Sequence, residues 1–225
     1  MESRKKIAII VAGGSGTRMG STIPKQFLEL AGKPVLWHTV NAFAKAYADM
    51  EIVLVLPEAH FSYVAAWLPD FAHRAVTLVA GGDTRFHSVK NGLAQVQEPA
   101  VVFVHDGVRP LASTDLINRC YETALAHGSA IPATDMKDSI RETGEGGNKA
   151  VDRDRFKIIQ TPQTFLSELI LPAFALPYDP LFTDEATVVE RQGHRIQLVP
   201  GEEANIKITR PLDLVIASTL LDHAL

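Results

Sequence analysis

The stretch IVAGGSGTRMGSTIPKQF, residues 10–27, leads from an apolar run into a glycine-rich turn and then supplies two cations, Arg18 and Lys25. The run KKIAIIVA is short, rich in isoleucine and followed by glycines, which is typical of a buried strand. Glycines allow close backbone approach, so consecutive amides of the turn can face phosphate oxygens. The stretch therefore predicts a first strand followed by an anion-binding loop.

The spacing of this turn differs from both standard phosphate-binding motifs. A dinucleotide fingerprint requires a third glycine where Met19 stands, and Gly20 comes one position late. A P-loop requires a Gly-Lys pair followed by serine or threonine, which this region does not contain. Arg18 and Lys25 beside backbone amides instead suit a triphosphate. A tight structural turn with two solvated cations is the alternative interpretation of this loop alone.

Strand-like and helix-like segments alternate along the rest of the chain. Runs such as EIVLVLP, VTLVAGG and AVVFVHD are separated by amphipathic stretches such as PVLWHTVNAFAKA and STDLINRCYETALAHG. This alternation predicts an α/β fold, a Rossmann-like and mostly parallel sheet with helices on both faces. Ligands bind such sheets beyond the carboxyl ends of the strands. The turns AGGSGTRMG, AGGDTRFHS and HDGVRP each follow a strand, so we expect them to face one crevice.

Length and composition favour one domain over residues 1–225. Hydrophobic residues make up 46% and charged residues 21% of the chain, as in ordinary globular domains. The alternation breaks between Ala133 and Gln160, where a polar, glycine-bearing segment has β-like flanks. We predict an arm insertion at about residues 134–157, projecting as a hairpin that pairs with a second subunit. A long mobile loop is the alternative.

Several classes of protein are disfavoured by charge and residue usage. A net charge of −4 argues against nucleic-acid binding, and no stretch is apolar for long enough to suggest a membrane span. The single cysteine, Cys120, precludes an intrachain disulfide, which fits the cytoplasm. We expect Cys120 to be a core residue. His105, beside Asp106, is a candidate acid or base, although no histidine spacing suggests a metal site.

The motifs together resemble one enzyme family. AGGSGTRMGSTIPKQF is similar to the G-x-G-x-R-[ML]…P-K signature of nucleotidyltransferases. The segments GGDTRFHSVKNGL, VFVHDGVRP, DSIR, VDRDRF, QTPQTF, FTDEA and NIKITRPLDL resemble, in the same order, those of the 2-C-methyl-D-erythritol 4-phosphate cytidylyltransferases. The resemblance extends from about residue 7 to about residue 220. The glycine loop alone would indicate only the broader superfamily.

The resemblance implies a reaction between CTP and 2-C-methyl-D-erythritol 4-phosphate in non-mevalonate isoprenoid precursor synthesis. The products are 4-diphosphocytidyl-2-C-methyl-D-erythritol and pyrophosphate. The attacking phosphate oxygen is already ionised near neutral pH, so the chemistry calls for cations and Mg²⁺ rather than a general base. Transfer to another polyol phosphate, such as ribitol 5-phosphate, is one alternative, and a non-catalytic nucleotide sensor is another. The glycine spacing disfavours a nicotinamide dehydrogenase.

The resemblance also implies roles for individual residues around CTP. Three cations would act at its phosphates: Arg18, Lys25 and Lys207. Base, ribose and phosphate contacts would come largely from backbone groups of a second set: Ala12, Gly13, Gly14, Gly16, Gly82, Asp83, Ser88 and Gly107. Family members commonly have alanine at the position of Gly107. Asp106 would hold Mg²⁺ and lie near the second substrate. For Arg85 two structural roles remain open: an ion pair with Asp83, or hydrogen bonds that cap carbonyl groups.

The resemblance also implies which residues bind the second substrate, including residues of the arm. Arg109 would lie near the methylerythritol phosphate, and Thr183 would bind it within the same chain. In a homodimer, the arm would bring Ser139, Arg153 and Thr161 to the partner's substrate, with Arg153 as a forked phosphate donor. The DSIR segment departs from the usual pattern, with extra preceding residues and with serine and arginine in place of threonine and lysine. Asp135 therefore competes with Ser139.

Overall fold

The predicted first strand is present in the computed structural model, which describes residues 4–14, 23–97 and 99–223. The strands in chain order are β1 (Lys5–Val11), β2 (Glu29–Leu30), β3 (Lys33–Pro34), β4 (Met50–Leu56), β5 (Val76–Ala80), β6 (Ala100–Asp106), β7 (Ser129–Asp135), β8 (Arg141–Gly144), β9 (Gly147–Ala150), β10 (Lys157–Ile159), β11 (Gln163–Leu166) and β12 (Leu198–Pro200). The α-helices are α1 (Val35–Ala46), α2 (Phe61–Ala65), α3 (Arg85–Leu93), α4 (Thr114–His127), α5 (Ser167–Ala173), α6 (Glu185–Glu190) and α7 (Pro211–His223).

The main sheet is mixed, with a parallel half that carries the glycine-rich turns. β6, β1, β4 and β5 lie side by side in that order and run parallel. β11 pairs antiparallel with β6 and with β7, and β10 also pairs antiparallel with β7, while β12 runs parallel to β7. The strand order reverses at β1, which has β4 on one side and β6 on the other. The predicted α/β fold with a mostly parallel sheet is confirmed.

Helices cover both faces of this sheet because alternate strand residues point to opposite sides. Ala8 and Ile10 of β1 belong to a core cluster with residues of α1 and α4. Ile7 and Ile9 belong to the opposite cluster, with residues of α3, α5 and α6. All seven residues of β6 are buried, as expected for a central strand covered on both faces. In the described ranges, no helix has the length and apolar character to cross a membrane.

Local signals delimit the helices that follow the functional turns. Thr84 caps α3 by accepting from the backbone N–H of His87, and Ser113 caps α4 by accepting from that of Leu116. Gly128 ends α4 in the left-handed conformation, with φ of 88°. Cys120 of α4 is fully buried in the core, as predicted, and burial raises the pKa of its thiol to about 12. It is therefore a core thiol rather than a nucleophile.

The predicted arm is a projecting hairpin. β8 and β9 pair only with each other among the described residues, and every residue of both strands is exposed. Gly147, with φ of 107°, supports the tight turn between them. The preceding strand β7 continues to Asp135 within the main sheet, so the projecting segment begins just after that residue. The exposed hairpin is present in a single chain, and its pairing with a second subunit stays a prediction.

Candidate functional site

Three turns beyond the parallel strands enclose one cavity at the carboxyl edge of the sheet. The turns follow β1, β5 and β6, next to the reversal of strand order where ligands bind in open α/β sheets. We call this space of about 240 Å³ the inner cavity. Its lining residues are Val11, Ala12, Gly13, Gly14, Lys25, Gln26, Gly82, Asp83, Thr84, Arg85, Ser88, Asp106, Val108 and Lys207. The structure therefore brings together most of the residues predicted to contact CTP.

The glycine-rich turn is held in place by Gln26, a residue to which the sequence analysis assigned no role. Gln26 is buried, and its amide nitrogen donates to the carbonyl oxygens of Ala12 at 2.8 Å and Gly14 at 3.2 Å. Lys25 precedes it in a short 3₁₀ helix and lines the inner cavity. Arg18 and Gly16 lie outside the described residues, and their predicted contacts with CTP stay predictions.

The opposite wall of the inner cavity is formed by the turn after β5. The Ser88 hydroxyl accepts from the backbone N–H of Gly82 at 3.1 Å and donates to the carbonyl of Thr84 at 3.0 Å. A β-carbon at Gly82 would come within 2.5 Å of the β-carbon of His87, so only glycine allows the turn to fold back this closely. Gly82, Asp83 and Ser88 thus form one compact wall of small groups beside the glycine-rich turn.

Gly107 brings the turn after β6 close to β1. Its backbone N–H donates to the carbonyl of Val11 at 2.8 Å. A β-carbon at this position would lie 3.0 Å from that of Ala12 and 3.1 Å from the Val11 oxygen, closer than ordinary packing allows. The glycine therefore avoids tight contacts with Ala12 and Val11 in this backbone arrangement.

Asp106 lies at the centre of the site, surrounded by three cations. Its Oδ2 is 2.8 Å from Nζ of Lys207 and 3.6 Å from Nε of Arg109, while its Oδ1 is 3.3 Å from Nη2 of Arg85. Burial alone would raise the pKa of Asp106, but the charges of Arg85, Lys207 and Arg109 outweigh it and hold the pKa well below its usual range. The carboxylate is therefore ionised at neutral pH.

Arg85 connects Asp106 to α6, a contact that the sequence analysis did not identify. Its guanidinium forms a two-point ion pair with Glu185, whose side chain is 1% exposed, and also pairs with Asp106. Burial alone would lower the pKa of Arg85, but the charges of Glu185 and Asp106 raise it, so the guanidinium stays charged. Among the described residues its ion-pair partners are these two carboxylates, and the proposed pairing with Asp83 is not present. The ion pairs fix one edge of the Asp106 carboxylate.

Lys207 is positioned by a buried asparagine two residues earlier in the chain. Asn205 is fully buried. Its side-chain amide donates to the backbone carbonyl of Thr161 at 2.8 Å, and its backbone carbonyl accepts from Nη1 of Arg109 at 2.7 Å. On the other side of Lys207, the N–H of Ile208 donates to the carbonyl of Val108 at 2.9 Å. The NIK segment is therefore attached on both sides to the turn after β6. The ammonium group of Lys207 reaches Asp106 while 40% of its side chain stays exposed.

Thr161 lies beneath the Asp106 of its own chain. Its hydroxyl accepts from the backbone N–H of Asp106 at 3.1 Å and contacts Nδ1 of His105 at 3.0 Å. The residue is 5% exposed because it lies between β10 and β11, where the chain returns into the main sheet. Its predicted contact with a partner's substrate stays a prediction.

A second, larger space adjoins the inner cavity. This outer groove of about 910 Å³ lies between the ends of β7 and β10 on one side and residues 198–207 on the other. Arg109 lines the outer groove, and Lys207 lines both spaces. The side chain of Lys207 therefore borders both spaces.

The remaining predicted residues lie in the arm and before α6, and Asp135 and Arg153 line one space beside the outer groove. Arg153 is exposed at the base of the arm and donates to the carbonyl of Lys137 at 2.5 Å. Ser139 is exposed in the same arm, and Asp135, its competitor, forms an ion pair with Lys157. Thr183 is exposed just before α6, beside the Arg85–Glu185 pair. Their roles in substrate binding stay predictions.

Sequence comparison relates the chain to one enzyme family. The sequence profile of the family IspD, 2-C-methyl-D-erythritol 4-phosphate cytidylyltransferase, matches residues 6–223. A 2-C-methyl-D-erythritol 4-phosphate cytidylyltransferase of Bacteroides thetaiotaomicron is 49% identical over 218 residues, covering 96% of this chain and 100% of the relative. One of Porphyromonas gingivalis is 48% identical over 226 residues, covering 97% and 98%.

Solved structures of the same kind share the fold. The 4-diphosphocytidyl-2C-methyl-D-erythritol synthase of Anaerococcus prevotii aligns with a TM-score of 0.83 and 28% identity, covering 97% of this chain and 99% of that one. The 2-C-methyl-D-erythritol 4-phosphate cytidylyltransferase of Thermus thermophilus aligns with a TM-score of 0.77 and 30% identity, covering 96% and 99%. On the profile match and these identities, the chain belongs to the 2-C-methyl-D-erythritol 4-phosphate cytidylyltransferase family.

Proposed function

We propose that this protein transfers the cytidylyl group of CTP to 2-C-methyl-D-erythritol 4-phosphate, releasing pyrophosphate and forming 4-diphosphocytidyl-2-C-methyl-D-erythritol for non-mevalonate isoprenoid synthesis. The observation that carries the proposal is the position of Lys207, whose side chain borders both the inner cavity and the outer groove. A cation there can contact an α-phosphate in one space and an attacking phosphate in the other. Family membership names the two substrates.

The groups that line each space suit a different substrate. The wall of Gly82, Asp83 and Ser88 offers backbone and hydroxyl groups to a cytosine base and ribose, while the glycine-rich turn and Lys25 face the triphosphate. The methylerythritol phosphate would occupy the outer groove beside Arg109. Its phosphate oxygen forms a bond to the α-phosphorus as the bond to the bridging oxygen of pyrophosphate breaks. Lys25 and Lys207 stabilise the negative charge that both anions bring to that centre.

In this step no protein side chain needs to accept or donate a proton. The attacking phosphate oxygen is ionised before it enters, since the second pKa of a phosphate monoester is about 6. His105 is fully buried beneath the site, and burial lowers its pKa to about 4. Both of its ring nitrogens are occupied by Thr161 and the carbonyl of Arg109. The contribution of the protein is therefore electrostatic: its cations reduce the repulsion between the two anionic substrates.

A divalent cation is the proposed cofactor, with Asp106 as its protein ligand. No group of three or more acidic, histidine or cysteine side chains within the described ranges could form a closed metal site. Mg²⁺ does not require one, because it commonly takes one or two carboxylates and completes its coordination with waters and substrate phosphates. Asp106 fits this mode because it is ionised and lines the inner cavity. When bound, the ion neutralises charge on the CTP phosphates.

We also propose that the arm completes the site in a homodimer. Arg153 and Ser139 are exposed, and Arg153 contacts the Lys137 carbonyl and Asp154 rather than Asp106 in its own chain, which supports a phosphate contact made by the arm in a second subunit. Three large apolar side chains beside the arm and along the outer groove are 40–45% exposed: Phe156, Ile158 and Leu198. Such exposure is typical of a surface that a partner covers. The reaction would take place in the cytoplasm, where Cys120 stays a thiol.

The substrate assignment is tested by pyrophosphate release from purified protein with CTP. We expect fast turnover with 2-C-methyl-D-erythritol 4-phosphate and Mg²⁺, and little with ribitol 5-phosphate. Chelation of the metal should stop turnover, and Mg²⁺ should restore it. Faster turnover with ribitol 5-phosphate would contradict the proposed substrate, and full activity without a divalent ion would contradict the role of Asp106 as a metal ligand.

The dimer is tested by light scattering together with mixed subunits. We expect twice the mass of one chain in solution. An Arg153→Ala chain and a Lys207→Gln chain, each weakly active alone, should regain activity when mixed, because one of the two sites in the mixed dimer then contains neither change. A fully active monomer would remove Arg153 from the site.

A further inference from the structure

His105 occupies a buried position directly beneath the two charged residues of the turn after β6. It is the next-to-last residue of that strand and is fully buried. Its ring packs edge-on against Phe43, with centroids 4.9 Å apart. Asp106 follows it immediately, and Arg109 closes the turn by donating its backbone N–H to the Asp106 carbonyl at 3.0 Å. The imidazole is thus packed under the turn, with no route for a substrate to reach it.

The contacts of the ring define a single tautomer. Nε2 lies 3.0 Å from the carbonyl oxygen of Arg109, which can only accept, so Nε2 carries the hydrogen. In the neutral ring, Nδ1 is then an acceptor. It lies 3.0 Å from the Thr161 hydroxyl, which donates to it. The ring therefore joins a threonine on one side to the far end of the turn on the other.

Thr161 extends this connection to Asp106. A hydroxyl has one hydrogen to donate and two lone pairs with which to accept. The hydrogen of Thr161 points to His105, and a lone pair accepts the backbone N–H of Asp106 at 3.1 Å. Both ends of the turn are therefore tied to one buried network, at the N–H of Asp106 and at the carbonyl of Arg109.

We propose that His105 and Thr161 are positioning residues, which set the spacing of Asp106 and Arg109 and hold His105 as the Nε2–H tautomer. The proposal rests on the proposed function for its effect on turnover. Asp106 Oδ2 and Arg109 Nε are 3.6 Å apart, and Lys207 contacts the same carboxylate oxygen. A shift of the turn would displace the groups that meet both substrates. Neither residue takes a proton from substrate.

The first test replaces the hydroxyl while keeping the shape of the side chain. Thr161→Val leaves two buried groups unpaired, and we expect kcat to fall by roughly tenfold or more. Thr161→Ser keeps the hydroxyl and should recover most of the lost turnover. The Kd of CTP without divalent metal should change by less than about twofold, because the wall of Gly82–Ser88 is untouched. Thr164→Val is the matched control: Thr164 is fully buried in β11, where its hydroxyl neighbours Cys120.

Each outcome of this test bears on the network. Normal turnover in Thr161→Val, or equal losses in Thr161→Val and Thr161→Ser, would overturn the proposal. A loss in Thr164→Val as large as in Thr161→Val would show that general packing, rather than the hydroxyl, is responsible. Absence of turnover in the wild-type protein would contradict the proposed function instead, and would leave the second test to decide the network.

The second test observes the tautomer in the full-length protein. Nitrogen NMR of protein with ¹⁵N-labelled histidine separates protonated from unprotonated ring nitrogens, and His105→Asn identifies the signals. We expect a protonated Nε2 and an unprotonated Nδ1 for His105 in the wild-type protein at pH 7. Thr161→Val should shift the Nδ1 signal, and Thr161→Ser should leave it near its wild-type position. The opposite tautomer, or an imidazolium, would overturn the proposal even if a Thr161 variant failed to fold.

Discussion

Replacing Lys207 with glutamine is expected to lower kcat by about 10²–10³-fold. Its Nζ is 2.8 Å from Asp106 Oδ2, and its side chain lines both the inner cavity and the outer groove. In the proposed reaction this ammonium group stabilises charge at the α-phosphorus, where both anions meet. Glutamine keeps the length of most of the side chain but removes the charge. We expect a smaller effect on the KM of CTP, because other groups hold the base and the remaining phosphates.

Lys33 provides a closely matched control for this variant. Its Nζ is 2.9 Å from Asp70 Oδ2, and 45% of its side chain is exposed, against 2.8 Å and 40% for Lys207. Lys33 lies away from the site in β3, so Lys33→Gln removes an ion pair of the same geometry without touching either space. Steady-state pyrophosphate release should be normal in Lys33→Gln. A loss below about tenfold in Lys207→Gln would remove this residue from the chemical step.

The elements that the sequence predicted well are those with local signals. β1 follows from an apolar run that stops at glycines, and α4 from an amphipathic stretch, whose ends the structure places at the Ser113 cap and Gly128. The shared crevice followed from parallel strands, whose carboxyl ends lie at one edge of a sheet. Lys207 was identified by its motif, since nothing in the periodicity around it distinguishes it from a solvated lysine.

The contacts that the sequence did not reveal join distant parts of the chain. Arg85 is 21 residues from Asp106 and 100 from Glu185, and no local pattern pairs one guanidinium with those carboxylates. Asn205 was missed because a lone asparagine in a loop is usually a turn residue. The contacts of Thr161 with His105 and Asp106 were missed because the register in which β10 and β11 rejoin the sheet depends on long-range pairing.

The charge balance around Asp106 leads to a prediction about stability. Asp106→Asn keeps the size of the side chain but leaves Arg85, Arg109 and Lys207 without their shared anion. Breaking a buried ion pair by removing one partner usually costs 3–5 kcal/mol, and the partial exposure of Lys207 and Arg85 places this variant near the lower limit. We expect the free energy of unfolding at pH 7 to fall by about 3 kcal/mol, measured by urea denaturation.

The pH dependence of this loss follows from the direction of the pKa shift. The pKa of Asp106 is lower in the folded protein than in the unfolded chain, where it is about 3.9. The charged carboxylate therefore contributes its full stabilisation above the unfolded value, and that contribution is lost as the pH falls toward the folded value. The difference in unfolding free energy between wild type and Asp106→Asn should be constant from about pH 5 to about pH 8 and should shrink below about pH 4.

Asp70→Asn separates this effect from the general loss of a carboxylate. Asp70 accepts from Lys33 at 2.9 Å and from Nε1 of Trp37 at 2.8 Å, but it lies at the surface, so we expect a much smaller change in stability. If the Asp106→Asn difference varied between pH 5 and pH 8, Asp106 would titrate in that range, and the three cations would not hold it ionised. Because metal binding and the cation cluster both depend on that charge, such a result would contradict the proposed arrangement of the site.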